Sequence, residues 1–153
     1  MNNVTRIQMF TDGACKGNPG IGGWGVSIEH ESGTMELKGY EEFTTNNKME
    51  LTAVIKGLKS IENNLPVKIV TDSQYVKNGI NEWIIKWKKN GWKTASKKNV
   101  KNKELWQELD QLVKNFDVAW QWVKGHSGNA GNERADQLAN DAITDFHKID
   151  RSN

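Results

Sequence analysis

Alternating apolar and polar side chains predict β-strands in the first third of the chain. An apolar run covers about Arg6–Asp12, and further along Trp24, Val26 and Ile28 alternate with small or polar residues. A third alternating stretch follows the turn at Ser32–Gly33. This period is typical of strands with one buried face. Because the links between the three stretches are short, the sequence predicts an antiparallel meander.

Apolar residues at helical spacing follow the meander. The stripe Leu51, Val54, Ile55, Leu58 and Ile61 predicts an amphipathic helix. The other predicted elements are a strand that ends at Asp72, a short helix that Ser73 caps and Gly79 ends, a helix over Leu105–Val113, a strand over Val118–Trp122 and a helix over Ala135–Phe146. This order is typical of an α/β fold with some α+β character. We therefore expect one domain, residues 1–153, with a five-stranded mixed sheet flanked by helices.

Length and composition narrow the class of protein. A chain of 153 residues is long enough for one domain with a substantial buried core. No apolar run approaches the roughly 18 residues that cross a bilayer, and the first residues show no secretory pattern. The single cysteine, Cys15, excludes an intramolecular disulfide and a thiolate zinc site. We expect a cytoplasmic monomer with no membrane contact and no obligate protein partner.

Positive charge is concentrated in residues 81–103, which we call the basic segment. This segment holds eight lysines and one acid, although the whole chain has a net charge of only +2. Trp83, Trp87 and Trp92 are interleaved with the lysines. Lysines neutralise phosphates and exposed indoles stack on bases or sugars, so the basic segment favours a nucleic-acid interface. The alternative is a core stripe of tryptophans with lysines on the solvent face.

Two carboxylates stand at the ends of predicted strands. Asp12 closes the first apolar run, and Asp72 closes the strand that follows Pro66. Ligands of open α/β sheets bind outside the carboxyl ends of the strands. Two acids at this edge therefore indicate a hard cation and a phosphate substrate.

Two further carboxylates are candidates for the same site. Glu50 lies roughly 75° from the centre of the stripe Leu51–Ile61, at the border of the buried face. Asp136 lies near the start of the last predicted helix. Each also has a structural explanation, because Asn47–Glu50 resembles a capping box and the helix dipole stabilises an acid near a helix N-terminus.

Four carboxylates in one site would repel each other, and divalent cations are the usual means of neutralising such a cluster. Oxygen ligands without a thiolate cluster favour Mg²⁺ or Mn²⁺. Two such ions about 4 Å apart would activate water and stabilise the leaving oxygen of a phosphodiester. His126, in the loop Lys124–Asn129, could transfer protons near neutral pH, although an exposed and inert histidine is the alternative.

Five ordered motifs make the chain resemble the bacterial type 1 ribonucleases H. They are FTDGACKGNPGIGGWG at 10–25, TTNNKMEL at 44–51, VTDSQYVKNGI at 70–80, WKKNGWKTASKKNVKNKELW at 87–106 and WVKGHSGNAGNERADQLA at 122–139. The resemblance implies the ribonuclease H fold and an endonuclease that hydrolyses the RNA strand of an RNA/DNA hybrid, leaving 3′-hydroxyl and 5′-phosphate ends. It also implies that Asp12, Glu50, Asp72 and Asp136 bind the metal and that His126 assists proton transfer or product release.

The resemblance also implies contacts with the substrate. Cys15, Asn18, Asn46 and Gln74 would lie near RNA 2′-hydroxyl groups, and Asn18 with Thr45 would bind a phosphate of the DNA strand. The basic segment corresponds to the family's basic helical handle. Trp83 and Trp106 would lie beside the DNA strand, and Lys86, Lys88 and Lys89 are the candidate phosphate contacts.

Other functions fit parts of the sequence. A hybrid-binding module without catalysis would need the basic segment but not four convergent acids. A kinase or ATPase would use the loop Gly17–Gly25 as a phosphate cradle, but this loop lacks the P-loop spacing. Another nuclease of the same fold, such as a junction resolvase or an integrase core, is the nearest alternative. The basic segment and the GHSGN loop favour ribonuclease H.

Overall fold

A computed structural model describes residues 6–62, 65–125 and 128–152, with side chains described up to residue 149. The strands are β1 (Ile7–Lys16), β2 (Gly20–His30), β3 (Gly33–Thr44), β4 (Pro66–Thr71) and β5 (Asp117–Trp122). The α-helices are α1 (Asn46–Lys59), α2 (Gln74–Asn78), α3 (Ile84–Lys89), α4 (Lys103–Val113) and α5 (Ala130–Ser152). Within these ranges, no helix is both long and apolar enough to cross a membrane.

The five strands form one mixed sheet in the order β3-β2-β1-β4-β5. β1, β2 and β3 pair in antiparallel fashion, whereas β4 is parallel to both β1 and β5. The predicted mixed sheet and its antiparallel meander are therefore confirmed. Because β1 and β4 are parallel neighbours, their carboxyl ends lie at the same edge of the sheet.

Helices cover both faces of the sheet. On one face, buried Leu51 and Val54 of α1 belong to the same core cluster as Met9 of β1. On the other face, α5 approaches so closely that a β-carbon on Gly23 would stand 2.1 Å from the Ala139 carbonyl oxygen. The glycine in β2 thus removes the atom that would hold α5 away from the sheet. This close packing places the start of α5 near the same edge as the ends of β1 and β4.

Ion pairs attach α5 to the edge strand β3. The Arg134 guanidinium donates two hydrogen bonds to the Glu36 carboxylate, at 2.5 and 2.8 Å. Lys38 pairs with Asp145 at 2.8 Å. All four side chains are partly exposed, so each pair contributes little to stability by itself. Together they distribute charge of both signs along the outer strand.

The structure just before the basic segment differs from the prediction, because helical structure does not end at Gly79. Ser73 caps α2 as expected, because its Oγ accepts a hydrogen bond from the Val76 N–H at 3.1 Å. Helical structure then continues through a π-helical turn, Gly79–Trp83, into α3. Gly79 itself has helical backbone angles, φ −64° and ψ −46°, and a β-carbon on it would stand 2.0 Å from the Trp106 ring. Gly79 is needed for this contact with α4 and does not act as a terminator.

Candidate active site

Asp12 and Asp72 reach the edge of the sheet from adjacent parallel strands. Asp72 directly follows β4. β1 does not end at Asp12, as the apolar pattern suggested, because pairing with β2 extends it to Lys16. Its parallel pairing with β4 runs only as far as Phe10↔Val70, so Asp12 lies just beyond the shared ladder. Asp12 is 5% exposed, and its Oδ1 accepts a hydrogen bond from the Gly13 N–H at 3.0 Å.

Glu50 points from α1 into the same edge and is not a helix cap. The N-cap of α1 is Thr45, whose hydroxyl accepts a hydrogen bond from the Lys48 N–H at 3.2 Å. The capping-box explanation for Glu50 is therefore wrong. Glu50 is 5% exposed, and its Oε2 has no hydrogen-bond partner among the residues described. A buried carboxylate oxygen without a partner fits a ligand position for a cation.

Three carboxylates converge at this edge, and a fourth lies nearby. Asp12, Glu50 and Asp72 each offer an oxygen atom within 4.8 Å of the other two. Asp136, on α5, lies close enough to Asp12 for its carboxylate to raise the pKa of that acid. The Asn140 side-chain amide donates to the Asp136 carbonyl oxygen at 2.9 Å and is 3.4 Å from its carboxylate. The four acids singled out in the sequence thus lie together, on β1, α1, the end of β4 and α5.

Burial and mutual repulsion change how these acids ionise. Burial, followed by the negative charge of Asp72, raises the pKa of Asp12 from 3.8 to about 8. Burial, followed by the charge of Asp12, raises the pKa of Glu50 well above its ordinary value. The cluster therefore resists full ionisation near neutral pH by itself. An all-oxygen donor set that needs positive charge to ionise fits hard divalent cations.

Neighbouring backbone and amide groups fix the position of Asp72. Asn132 is 2% exposed, and its side-chain amide donates a hydrogen bond to Asp72 Oδ2 at 3.4 Å. A β-carbon on Gly125 would stand 2.8 Å from the same oxygen, so the following loop begins directly against this carboxylate. The candidate His126 is the next residue and lies outside the described residues. Asn132 was missed from the sequence, where it signals only a helix start.

Comparison with known proteins places this site in a family. The RNase H family model matches residues 4–144. The chain belongs to the ribonuclease H family. A Ribonuclease H of Francisella tularensis subsp. novicida is 59% identical over 141 residues, which is 92% of this chain and 93% of the relative. A Ribonuclease H of Francisella philomiragia is 59% identical over 145 residues, covering 95% and 93%.

Solved ribonucleases H share the fold. LC9-RNase H1, described as a type 1 RNase H with the type 2 active-site motif, superposes with a TM-score of 0.80 at 33% identity, over 94% of this chain and 75% of that one. LC11-RNase H1, solved in complex with an RNA/DNA hybrid, gives a TM-score of 0.66 at 26% identity, over 92% and 99%. The predicted fold class and family are confirmed.

Several residues implied as substrate contacts in ribonucleases H line the recess beside the acids. Asn46 and Gln74 line this recess together with Glu50 and Asp72. Asn18 lies next to them, because its Oδ1 accepts a hydrogen bond from the Asn46 N–H at 3.0 Å. The Cys15 thiol turns toward backbone oxygens, the nearest being that of Thr44 at 3.4 Å.

The tryptophans of this ribonuclease H partly follow the core-stripe alternative. Trp83, Trp87 and Trp92 are half-buried and pack against the main core, with successive ring centroids 5.9 Å apart. Trp83 and Trp87 still line an open groove together with Lys101. Trp106 is fully buried, so its side chain supports the groove from behind. Lys101 was not among the residues selected from the sequence.

The lysines singled out in the basic segment differ in their surroundings. Lys86 and Lys89 are exposed on α3. Lys88 instead forms an ion pair with Asp110 of α4 at 2.8 Å, and the Asp110 side chain is only 14% exposed. Lys114 approaches the same carboxylate at 3.6 Å. Of the three candidate phosphate contacts, Lys88 therefore already has an anionic partner within the protein.

Proposed function

We propose that Asp12, Glu50, Asp72 and Asp136 form the metal-binding catalytic centre of this ribonuclease H, which hydrolyses the RNA strand of RNA/DNA hybrids. The observation that carries this assignment is the convergence of Asp12, Glu50 and Asp72, with ligand oxygens within 4.8 Å of one another. We propose Mg²⁺ as the cation, with Mn²⁺ as a substitute, because both prefer oxygen ligands. Cleavage would leave 3′-hydroxyl and 5′-phosphate ends.

The protein's own groups divide the work of this reaction. When bound, the divalent cations supply an activated water and stabilise the charge on the leaving oxygen. Asp12 and Glu50 hold their carboxylates in a buried position, while Asn132 orients Asp72. We propose that His126 transfers a proton close to the reacting phosphate. Support comes from the contact between its neighbour Gly125 and Asp72.

We propose that the two strands of the hybrid lie on different parts of the protein surface. The RNA strand would pass Cys15, Asn18, Asn46 and Gln74, beside the acids. A phosphate of the DNA strand would bind at Asn18 and Thr45, near the start of α1, where the helix dipole favours an anion. A protein that contacts 2′-hydroxyl groups distinguishes RNA from DNA at that position.

The basic segment would hold the DNA strand. Trp83 would contact this strand, and Trp106 would support the wall behind it. Lys86, Lys88 and Lys89 would neutralise phosphates, with Lys88 exchanging Asp110 for a phosphate. The groove lined by Trp83, Trp87 and Lys101 supports this proposal, since it combines aromatic surface with a cation. Contacts to backbone and shape predict little sequence preference.

We also propose that residues 1–153 form a single domain that acts as a monomer in the cytoplasm. The main core cluster draws on residues from β1 to β5 and from α1 to α4, which supports one continuous domain. Charged side chains on the edge strand β3 support a monomer, because they oppose pairing between sheets.

Cleavage of a strand-labelled RNA/DNA hybrid with Mg²⁺ tests the proposed function. Parallel reactions contain duplex RNA, duplex DNA, EDTA and the Asp12→Asn variant. The matched control is Asp117→Asn, since Asp117 is an exposed acid paired with Arg6. We expect the wild type and the Asp117→Asn control to cleave the RNA strand of the hybrid and no other strand. Asp12→Asn should cleave nothing. Hybrid binding without cleavage in Mg²⁺ or Mn²⁺ would instead support a hybrid-binding module, and neither binding nor cleavage would favour a resolvase.

A further inference from the structure

Tyr75 stands between the acidic recess and the aromatic groove. The recess that contains Glu50 and Asp72 includes Tyr75 in its wall. The groove that contains Trp83 and Trp87 includes it as well. Tyr75 is the residue common to these two linings. It lies three positions after Asp72, at the start of α2, so the chain connects it directly to the catalytic edge.

The Tyr75 ring belongs to a continuous aromatic cluster. Its centroid lies 5.5 Å from that of Trp83 and 5.4 Å from that of Trp106. The Trp87 ring lies 5.7 Å from that of Trp106 and closes the cluster. Aromatic rings at these separations pack favourably without requiring a polar group on any of them. The ring contacts alone therefore do not explain a hydroxyl group at this position.

The Tyr75 hydroxyl accepts two hydrogen bonds from the region where the basic segment meets α4. Trp106 Nε1 donates at 2.9 Å and Asn102 Nδ2 donates at 3.0 Å. Trp106 is fully buried, so its N–H depends on this oxygen. Asn102 adopts a left-handed conformation, φ 59°, immediately before α4, and its side chain does not cap that helix. The Tyr75 hydroxyl oxygen thus holds both the buried Trp106 indole and Asn102, whose backbone is left-handed.

We propose that the Tyr75 hydroxyl is a positioning group that fixes the basic segment relative to the four carboxylates. It holds the end of the basic segment, through Asn102, at a set distance from the chain that carries Asp72. A hybrid that spans both regions then meets its phosphate contacts and the catalytic acids in register. The inference rests on the proposed function and extends it to a residue outside the catalytic centre.

The variant Tyr75→Phe tests this role, because it keeps the ring contacts and removes only the acceptor. We expect KM for the hybrid to rise about fivefold to tenfold, because both hydrogen bonds to the Tyr75 hydroxyl are lost, while kcat stays within about twofold. The slope of log K against log salt for hybrid binding in EDTA should become shallower by about 0.9 for each phosphate that the basic segment no longer neutralises. The matched control is Tyr40→Phe, since the Tyr40 ring packs at a tilt against Phe146 of α5, away from the basic segment. Its KM and salt slope should match the wild type.

A second variant, Asn102→Gly, breaks the same link from the other side and keeps the left-handed backbone accessible. It should raise KM as well, and the double variant should show less than the sum of the two effects. If both single variants lower only the unfolding temperature, with KM and salt slope unchanged, Tyr75 is purely structural and the proposal is overturned. Fully additive effects would also overturn it. Failure of the wild type to cleave would reject the proposed function instead, since binding in EDTA tests the positioning role independently of cleavage.

Discussion

Gly13 and Glu50 are in such close contact that a β-carbon at position 13 would stand 2.5 Å from the Glu50 backbone nitrogen. The same atom would stand 2.6 Å from the Met49 carbonyl carbon. Backbone atoms cannot rotate aside as a flexible side chain can. The absence of a side chain after Asp12 therefore lets α1 bring Glu50 up to β1.

The substitution Gly13→Ala should push α1 away from β1 and separate Glu50 from Asp12. We expect at least a hundredfold loss of kcat, about the cost of misplacing a catalytic group by 1 Å, together with lower stability. Hybrid cleavage and thermal unfolding measure the two effects. The control is Gly33→Ala at the opposite end of the sheet, where φ is +130° and the surrounding space is open. It should lower stability through backbone strain but retain kcat, and equal losses of kcat in both variants would contradict this account.

Stability without metal should decrease as pH rises. The pKa of Asp12 is 3.8 when solvated and about 8 in the folded protein, so between these values the folded state keeps a proton that the unfolded state has lost. The free energy of unfolding therefore falls across this window and levels off above it. The raised pKa of Glu50 acts in the same direction. Thermal unfolding in EDTA at pH 5 and pH 8.5 measures the effect, and Asp117→Asn, which keeps the buried acids, should show the same decrease as the wild type.

Removing the Asp12 charge should abolish much of the loss of stability at high pH. We expect Asp12→Asn to unfold at a higher temperature than the wild type at pH 8.5 in EDTA, although it loses activity. Added Mg²⁺ should stabilise the wild type and have little effect on the variant, because ligands bind the folded state preferentially. An unfolding temperature of Asp12→Asn below that of the wild type at pH 8.5 would show that repulsion among the acids is not a significant cost.

Replacement of His126 by alanine should slow turnover without abolishing it. A general acid or base contributes about a hundredfold to ten-thousandfold, and the metal-binding carboxylates would remain in place. Single-turnover cleavage at several pH values measures the chemical step. His147→Ala is the control, since this exposed histidine lies on α5. A rate for His126→Ala equal to that of the control would identify His126 as inert.

Lys88 and Lys89 should differ in their contribution to hybrid binding. Lys89→Gln should reduce the salt slope by about 0.9, the value for one phosphate contact. Lys88→Gln should reduce it less, because Lys88 must first give up its ion pair with Asp110. Asp110→Asn alone should tighten binding, because it frees Lys88 from its ion pair. Adding Lys88→Gln to Asp110→Asn should remove this gain if the ion pair is its cause. If Asp110→Asn leaves both affinity and slope unchanged, the ion pair does not compete with the substrate.

The strand pattern and the position of Asp72 at the end of β4 could be predicted because they depend on residues close together in the chain, whereas β1 continues past Asp12 through its pairing with β2. The helical angle of Glu50 likewise indicated its orientation without knowledge of its partners. The proximity of Asp136 to Asp12 could not be derived from local pattern, since it depends on how α5 packs across β2. The same limit applies to Asn132, which meets Asp72 across 60 positions of the chain.

At Gly79 a local signal was present but led to a wrong prediction. A glycine after a short helix is a common stop signal, and locally nothing contradicts it. Trp106, 27 positions later, packs against this glycine and makes the lack of a side chain a packing requirement. Lys88 is similar, because its partner Asp110 belongs to a different helix. Residues whose roles come from distant packing are the ones that sequence pattern describes least well.

The ion pairs along β3 also affect behaviour at high protein concentration. The outer edge of β3, a strand of twelve residues, exposes a row of backbone donors and acceptors that a second sheet could extend. Glu36 and Lys38 are held in place on this strand by Arg134 and Asp145 of α5. A second β3 approaching in register would bring like charges together and would compete with partners already in contact. The attachment of α5 thus opposes edge-to-edge pairing of β3 as well as carrying Asp136 to its place.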